Sequence, residues 1–256
     1  MFLNSSLSGQ IDDSFSFNGY ARTNIFGTNY GQSYSSVLQP DGKILVGGWS
    51  KGGTEDFCLS RYNADGSPDI TFGYKGTVVT RWQWTAKGAS VAIQPDGKIL
   101  MAGLIDNNIP FRTIAIVRYN VDGSCDHSFG DLGKVELNNI NGSHISVSLD
   151  IQADGKIIAA AGVVGYLNPS SCFVLIRLTQ DGSLDNSFGE DGISANLFGY
   201  ESHADIPYTV KVLQNEKILV AGVFDSIHGC IVRYYVDGTI DDTFGNNGIS
   251  TMSHGY

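Results

Sequence analysis

Two short phrases recur four times along the 256-residue chain, and this repetition constrains the fold more than any other feature of the sequence. The first phrase, "QPDGKILVGG" and its variants, begins at Gln39, Gln94, Gln152 and Gln214. The second phrase, "RYNADGSPDITFGYKG" and its variants, begins at Arg61, Arg118, Arg177 and Arg233. A partial fifth copy of the second phrase, "LSGQIDDSFSFNG", lies at residues 7–19. The chain therefore consists of four full repeats and a leading fragment.

Each repeat has the pattern of β-strands joined by turns, without a helical period. A first strand ends at the Gln, the Asp-Gly of "PDGK" predicts a tight hairpin, and "KILVGG" predicts a strand that is buried on both faces. A third strand runs to the Arg, a second Asp-Gly turn follows, and an extended piece such as "GTVVTRW" completes the unit. The fourth copy has "QNEK" in place of "QPDGK", so we expect its turn to differ.

A four-stranded antiparallel unit of this length, repeated in tandem, is typical of one blade of a β-propeller. A stacked β-solenoid is the alternative, but its coils are usually shorter than these repeats. We expect an all-β fold with one propeller domain over residues 1–256. Its repeats are expected at about 20–76, 77–133, 134–192 and 193–248.

The paired phrases "QPDGKILVGG" and "RYNADGSPDITFG" closely resemble the delta-60 repeat family of bacterial β-propeller-like sequences. The resemblance covers nearly the whole chain. It implies a propeller of repeated blades, often within a larger surface or secreted protein, and it carries no general catalytic assignment.

The two ends of the chain raise the question of how a ring of blades would close. The last repeat contains its own "DGTIDDTFGNNGIS", and the leading fragment adds another such segment. The surplus piece would start an incomplete fifth blade, cover an exposed strand edge, or complete a blade in another subunit. We expect a single ring with an overlapping end, and a homo-oligomer or a larger chain stays open.

The charge and hydropathy of the chain argue against two classes of partner. The chain has 16 Lys and Arg against 26 Asp and Glu, a net charge of −10, which disfavours nucleic acid and anionic membranes. No run of eighteen apolar residues is present, so we expect no membrane insertion. The start "MFLNSSLSGQIDDSF" lacks the features of a signal peptide, which fits an unexported protein or a piece of a longer one.

The acidic turns are the first candidates for a cofactor site. Each second phrase holds two Asp residues four positions apart, namely Asp65 and Asp69, Asp122 and Asp126, Asp181 and Asp185, and Asp237 and Asp241. Calcium prefers several oxygen ligands, but this spacing is not that of a dedicated calcium loop. We expect no cofactor, with the first Asp in a turn and the second accepting backbone N–H bonds or paired with the Arg of the preceding strand. A fourfold ligand site at these Arg residues is the alternative.

Other repeated side chains are expected to serve the fold. We expect inter-blade packing from Phe15, Phe72, Phe129, Phe188 and Phe244. The four cysteines show no metal-binding spacing, so we expect no metal site and expect three of them to be reduced, buried thiols: Cys58, Cys172 and Cys230.

Signatures of an enzyme are scarce in this sequence. It has no HExxH pattern, no GxSxG nucleophile elbow and no phosphate-binding loop. A carbohydrate-active enzyme using two channel carboxylates stays an alternative, because such partners meet in space rather than in sequence. The unrepeated acids available for that role include Glu55, Asp106, Glu136, Glu201, Asp205 and Asp225.

We expect the segments that do not repeat to lie on the face opposite the Asp-Gly turns, and they carry the functional hypothesis. They place aromatic side chains among Asn, Asp, Gly and Ser, a mixture that suits a sugar ring or a protein surface. The candidate ligand-binding residues are Tyr30, Trp49, Trp82, Trp84, Phe198, Tyr200, Asp106 and Asp205. We expect a non-catalytic module that binds a glycan or a protein, with an enzyme or a structural spacer as alternatives. For any single aromatic residue, packing at the end of the core is the competing interpretation.

Overall fold

The phrases that repeat in the sequence form four four-stranded antiparallel sheets in a computed structural model of the chain. The structure describes residues 11–23, 25, 30–106, 112–138, 140, 143–165, 171–196, 198, 205–224 and 228–252. In each sheet the four strands follow one another in chain order, as expected for a propeller blade. We call the sheets blades 1 to 4. The expected all-β, propeller-like fold is confirmed.

The first two blades span residues 30–80 and 85–136. Blade 1 consists of β1 (Tyr30–Leu38), β2 (Ile44–Lys51), β3 (Glu55–Tyr62) and β4 (Thr77–Thr80). Blade 2 consists of β5 (Thr85–Ile93), β6 (Ile99–Asp106), β7 (Thr113–Tyr119) and β8 (Lys134–Glu136).

The last two blades have the same construction. Blade 3 consists of β9 (Ser143–Ile151), β10 (Ile157–Val164), β11 (Ser171–Leu178) and β12 (Ile193–Asn196). Blade 4 consists of β13 (Ile206–Val212), β14 (Ile218–Phe224), β15 (His228–Tyr234) and β16 (Ile249–Thr251). The expected repeat boundaries fall before the short fourth strand, whereas each sheet includes that strand.

The hairpin between the first and second strands depends on a residue with positive φ. Gly42 has φ of 83°, and the Asp41 side chain accepts a hydrogen bond from the Lys43 N–H. The turn of blade 4, which was expected to differ, has the same geometry. It begins at Leu213, one residue before the Gln that resembles the first residue of the other hairpins. Glu216, with φ of 62°, takes the place of the glycine, and Asn215 takes the place of the Asp.

The second and third strands are apolar on both faces because each inner blade is packed on both sides. Along β6, Ile99 and Met101 pack toward blade 1, whereas Leu100 and Ala102 pack toward blade 3. All four side chains are fully buried. Three such seams, between blades 1 and 2, 2 and 3, and 3 and 4, form the hydrophobic core.

The N-terminal segment, residues 11–23, lies on the outer side of blade 1 and repeats the contacts of a preceding blade. The Phe15 ring lies where a Cβ on Gly66 would be, as the Phe72 ring does at Gly123 of blade 2. The Thr23 hydroxyl is hydrogen-bonded to the Tyr62 hydroxyl, which matches the bond of Thr80 to the Tyr119 hydroxyl. The segment thus resembles the last turn and strand of an incomplete blade.

The expected single ring with an overlapping end is wrong for this structure. In the part of the chain that is described, the strands of blade 4 are packed against blade 3, and they form no seam with blade 1. The surplus N-terminal segment is attached to blade 1 and does not complete blade 4. Among the described residues, the row of blades is therefore not closed into a ring.

Two further findings concern the cysteines and the membrane. All four cysteines are free, and the three that were expected to be buried thiols are buried. The described residues include no helix that is long and apolar enough to cross a membrane.

Candidate functional site

The strand order gives the blades two chemically different ends. The turn end carries the hairpin between the first two strands and the longer turn before the fourth strand of every blade. The loop end carries the connections between the second and third strands and those between successive blades. The repeated phrases thus lie at one end, and the strands lead into the unrepeated segments at the other.

An ionic clamp at the turn end is built from the repeated residues. In blade 2, the Arg118 Nε lies 2.7 Å and the Lys98 Nζ 2.8 Å from the Asp126 Oδ2. The other carboxylate oxygen accepts hydrogen bonds from the backbone N–H and the hydroxyl of Ser128. The Arg118 guanidinium also lies 4.7 Å from the centroid of the Phe129 ring. The expected pairing of Arg with carboxylate is confirmed, and the Lys of "PDGK" joins it.

The clamp also fastens each blade to the next. Arg118 donates a further hydrogen bond to the backbone carbonyl of Gln180, in the turn of blade 3. Arg61 and Arg177 make the corresponding bonds to the carbonyls of Val121 and Val236. These Arg side chains are therefore structural parts of the blade seams, which argues against the alternative of a fourfold ligand site.

The clamp holds its aspartate in the ionised form. Burial raises the pKa of Asp126, but hydrogen bonds from Lys98 and Ser128 and the charge of Arg118 outweigh that effect, so the net pKa lies well below its ordinary value. The pKa values of Asp69 and Asp185 are lowered in the same way. Two cations already occupy the position that a calcium ion would need, which disfavours metal at this carboxylate. Among the described residues, no group of three or more His, Cys, Asp or Glu side chains is placed to hold a metal ion.

Two of the candidate aromatic residues belong to the core. Trp82 is 9% exposed and packs edge-on against Phe57, with ring centroids 5.4 Å apart. Trp49 is 5% exposed at the end of β2. Packing in the core therefore accounts for the burial of Trp82 and of most of the Trp49 side chain. Trp84, two residues after Trp82, is 37% exposed, so the two indoles do not share one environment.

Tyr30 and Trp49 come together at the loop end of blade 1 with two charged residues. Tyr30 is 56% exposed, and its ring centroid lies 5.5 Å from that of Trp49. The Lys87 Nζ lies 5.0 Å from the centroid of the Trp49 ring and 3.2 Å from the Glu55 Oε2. We call Tyr30, Trp49, Glu55 and Lys87 the loop-end cluster. It combines an accessible aromatic face with an ammonium and a carboxylate.

A cleft of about 480 Å³ adjoins this cluster on the outer side of blade 1. Tyr30 and Trp49 line it at the loop end, and Thr23 of the N-terminal segment and Tyr62 line it deeper on the blade. The Tyr30 hydroxyl accepts a hydrogen bond from the Gln32 amide at 2.8 Å, which adds an amide group at its edge.

The remaining candidates do not join the loop-end cluster. Phe198 packs edge-on against Phe173 of blade 3, and its N–H donates to the buried Asp205 carboxylate at 2.9 Å. Asp205 thus has a structural role between blades 3 and 4. Asp106 is exposed, with its Oδ2 4.0 Å from the Arg112 Nε. Tyr200 lies outside the described residues.

Two further acids, one near each end of the blades, are also bound to backbone donors. The buried Asp56 accepts a hydrogen bond from the Trp82 N–H at 3.2 Å, and the Asp150 carboxylate accepts one from the Val212 N–H at 2.7 Å. Glu201 and Asp225, two of the acids considered for catalysis, lie outside the described residues. The described contacts of Asp56 and Asp150 are therefore structural hydrogen bonds.

Sequence reasoning missed three residues that matter at the two ends. Lys87 and Lys98 look like ordinary surface lysines in the sequence. Only the repetition of Lys immediately after every hairpin could have signalled the role of Lys98. His144 was also missed; it is 1% exposed, and its Nδ1 accepts a hydrogen bond from the Ile114 N–H at 3.1 Å. Desolvation lowers the pKa of His144 to about 4, so the ring is neutral at pH 7.

Comparison with protein families gives one match that covers more than half of the chain. The match is to "Domain of unknown function (DUF5122) beta-propeller", at residues 39–72, 94–129, 152–188 and 214–244. Each matched range begins at or next to a "PDGK" hairpin and ends at the Phe of the second phrase. The expected kind of repeat, a β-propeller repeat, is confirmed, although the delta-60 name is not the one that this match gives. No curated protein matches the chain.

Among solved structures, a protein of unknown function from Dyadobacter fermentans is similar over 88% of this chain and 70% of its own, with 9% identity and a TM-score of 0.53. A sialidase from Streptococcus pneumoniae is similar over 75% of this chain but only 27% of its own, with 13% identity and a TM-score of 0.45. An α-L-arabinofuranosidase from Clostridium thermocellum covers 84% of this chain and 72% of its own, with 12% identity and a TM-score of 0.42. The first likeness supports the fold, and the two hydrolases carry no argument about activity.

Proposed function

The chain belongs to the DUF5122 β-propeller family, and we propose that it is a non-catalytic binding module that recognises a glycan at the loop-end cluster. The observation that carries this proposal is the exposed Tyr30 ring, held against Trp49 and flanked by the Glu55–Lys87 ion pair. The proposal accounts for why this end of the blades differs from copy to copy while the other does not.

The chemistry of the cluster suits a sugar ring. A pyranose has apolar C–H faces that pack on an aromatic ring, and hydroxyl groups around its edge that need donors and acceptors. Tyr30 would supply the face, because more than half of its surface is free. Gln32, Glu55 and Lys87 would supply the polar contacts at the edge. The net charge of −10 favours a neutral glycan over a polyanionic one.

A fixed position for the aromatic ring strengthens the proposal. Trp49 is almost fully buried and has the Lys87 ammonium of blade 2 over its ring, so its position is constrained. The tilted contact at 5.5 Å therefore limits the orientations of Tyr30. A ring that is already oriented loses little side-chain entropy when a ligand binds.

The test is a panel of immobilised neutral and acidic oligosaccharides, probed with the chain and with two matched variants. Tyr30→Ala should lower the affinity for a bound neutral oligosaccharide at least tenfold. Tyr74→Ala removes an equally exposed tyrosine from the turn end and should leave the affinity unchanged. Equal losses in both variants would contradict the assignment of the site. Failure of every oligosaccharide, with binding to a protein or hydrolysis of a polysaccharide instead, would overturn the proposed function.

A further inference from the structure

The outer face of blade 4 repeats the residues that form the three inner seams, but no blade covers it among the described residues. Its apolar side chains are Leu219, Ala221, Ile231 and Phe244. The counterparts of these residues in blade 2, fully buried against blade 3, are Leu100, Ala102, Ile116 and Phe129. On blade 4 all four are partly exposed.

The clamp of blade 4 is also incomplete on this face. Arg233 binds Asp241 and the Thr243 hydroxyl as its counterparts do. Its side chain is 24% exposed, against 5% for Arg61 and Arg177. The other three Arg side chains each donate to a carbonyl in the turn of the following blade. Within the described part of the chain, Arg233 has no such carbonyl.

Blade 1 presents the complementary surface at the other end of the row. Its first strand, β1, is mostly exposed, whereas β5 and β9 are packed on the blade before them. At the inner seams, the first strand of one blade donates a backbone N–H to a serine of the blade before it. Val91 donates to Ser35, Leu149 to Ser90 and Val210 to Ser148, at 3.0–3.2 Å.

The register of the strands identifies the groups that would complete a fourth bond of this kind. Ser36 is paired with Val46 as Val91 is with Met101, so the Ser36 N–H is the donor on blade 1. Thr209 is paired with Ala221 as Ser148 is with Ala160, so its hydroxyl is the acceptor on blade 4. Both residues are exposed. The carbonyl of Ala64 is the corresponding acceptor for Arg233, by its position in the turn of blade 1.

We propose that blade 4 of one copy of this chain docks head-to-tail on blade 1 of a second copy, in the place that the N-terminal segment partly fills. Two such contacts join two copies into a ring of eight blades, which is within the usual range for propellers. We choose blade 4 of a second copy as the occupant because its outer face carries the same kinds of residue that form the three seams within the chain.

The N-terminal segment competes with this contact. In the docked pair, Phe244 of one copy lies on Gly66 of the next, where Phe15 now lies. The fourth strand, β16, takes the place of residues 20–23 beside Tyr62. The deeper part of the cleft on the outer side of blade 1, lined by Thr23 and Tyr62, is the space that the inner strands of blade 4 then fill, which leaves its loop end at Tyr30 open. Weakening the segment should therefore strengthen the pairing.

The first test is the mass of the full chain by sedimentation velocity over a range of concentrations. We expect a monomer–dimer equilibrium, with at least a tenfold lower dissociation constant for Phe15→Ala. Adding Ile231→Glu, which puts a charge on the blade 4 face, should abolish the dimer. The control Ile70→Glu changes an isoleucine that is already 76% exposed on another surface and should have no effect. A folded Phe15→Ala variant that stays monomeric, or a dimer that tolerates Ile231→Glu, would overturn the proposal.

The second test separates a second copy from other occupants. Ser36→Cys and Ala221→Cys are made on separate chains in the Phe15→Ala background, since the corresponding Leu149 and Ala102 belong to one core cluster. Under mild oxidation the mixture should form a disulfide-linked dimer that neither variant forms alone, with the chain lacking both changes as the control for native thiols. A double variant carries both cysteine changes on one chain. If it forms an intrachain disulfide while the mixture forms no linked dimer, one chain closes on itself. No disulfide in either case would point to a further blade or another partner, and both results overturn the proposal.

Discussion

At the turn end, every blade contains the same clamp of an Arg, a Lys and an Asp, and the Arg of each of the first three blades reaches into the next. At the loop end, each blade carries different side chains, and among the described residues the loop-end cluster is found at blade 1 alone. Both ends contain charged and aromatic residues. Amino-acid composition therefore does not distinguish the structural end of the blades from the proposed binding end. The two ends differ in whether a residue recurs at the equivalent position of every blade, and in whether its polar groups already have hydrogen-bond partners.

The two ends also differ in the groups that respond to acid. The clamp aspartates have lowered pKa values and stay ionised until the pH falls below their ordinary range. His144, beside the seam of blades 2 and 3 at the loop end, is neutral and is held so by desolvation. Acidification should therefore act first at the loop end and later at the turn end.

The largest expected effect comes from the repeated phenylalanines, because they pack between clamp and neighbouring blade. Phe129→Ala should lower the free energy of unfolding by about 3–5 kcal/mol, since it leaves a cavity in a fully buried seam. Phe244→Ala, the same change on the uncovered face of blade 4, should cost much less in the monomer. Urea unfolding of both variants at low protein concentration measures the difference. Equal losses would show that blade 4 is covered by something in the single chain.

The second-largest effect is expected from acid at the turn end. An aspartate whose pKa is lower in the folded than in the unfolded state stabilises the fold above the unfolded pKa, about 3.9. That contribution is lost as the pH falls from about 4 toward the lower folded pKa. Urea unfolding between pH 5 and pH 2.5 should therefore show a steep loss of stability. Asp126→Asn should be less stable at pH 7 and less sensitive to acid below pH 4. An unchanged acid response in this variant would contradict the ionised clamp.

A smaller, local effect is expected at His144. Its pKa is about 4 in the fold and about 6.5 when unfolded, so the neutral ring contributes stability above pH 6.5 that is lost as the pH falls toward 4. Protonation also removes the acceptor for the Ile114 N–H. Hydrogen exchange at the Ile114 amide should accelerate between pH 6.5 and pH 4.5, after correction for the intrinsic rate. The Arg118 amide, bonded to the Gly133 carbonyl at the turn end, should keep its protection over this range.

The fold could be predicted well from the sequence because the residues of the repeated turns determine the turn geometry. Asp-Gly at the first three hairpins favours a residue with positive φ, which Gly42 has. The Arg–Asp spacing favours an ion pair, which Arg118 and Asp126 form, and the apolar runs in the second strand favour burial on both faces. The fourth hairpin was misaligned by one residue, because Gln214 resembles the other glutamines while Leu213 makes their backbone bond. Repetition of local chemistry could be interpreted from sequence, but a turn of unchanged length in which Leu, Asn and Glu replace the Gln, Asp and Gly could not.

The candidate site was predicted less completely, because burial decides the role of an aromatic residue there. Trp49, Trp82 and Trp84 look alike in the sequence, yet only Trp84 exposes more than a third of its surface. Lys87 carries no signal in the sequence, since its partners Trp49 and Glu55 lie on the preceding blade. The failure of the single-ring expectation has a similar cause: pairing between distant ends depends on three-dimensional fit, which the repeat pattern does not encode.

The most direct test of the difference between the two ends is hydrogen–deuterium exchange of the chain with and without a saturating neutral oligosaccharide that binds in the panel. We predict slower exchange in residues 49–56 and 81–88, around the loop-end cluster, and unchanged exchange in the hairpins and the "DGSxDxSFG" turns. Protection confined to the turns at residues 39–43 or 63–76, with no change around Tyr30 and Lys87, would contradict the assignment of binding to the loop end.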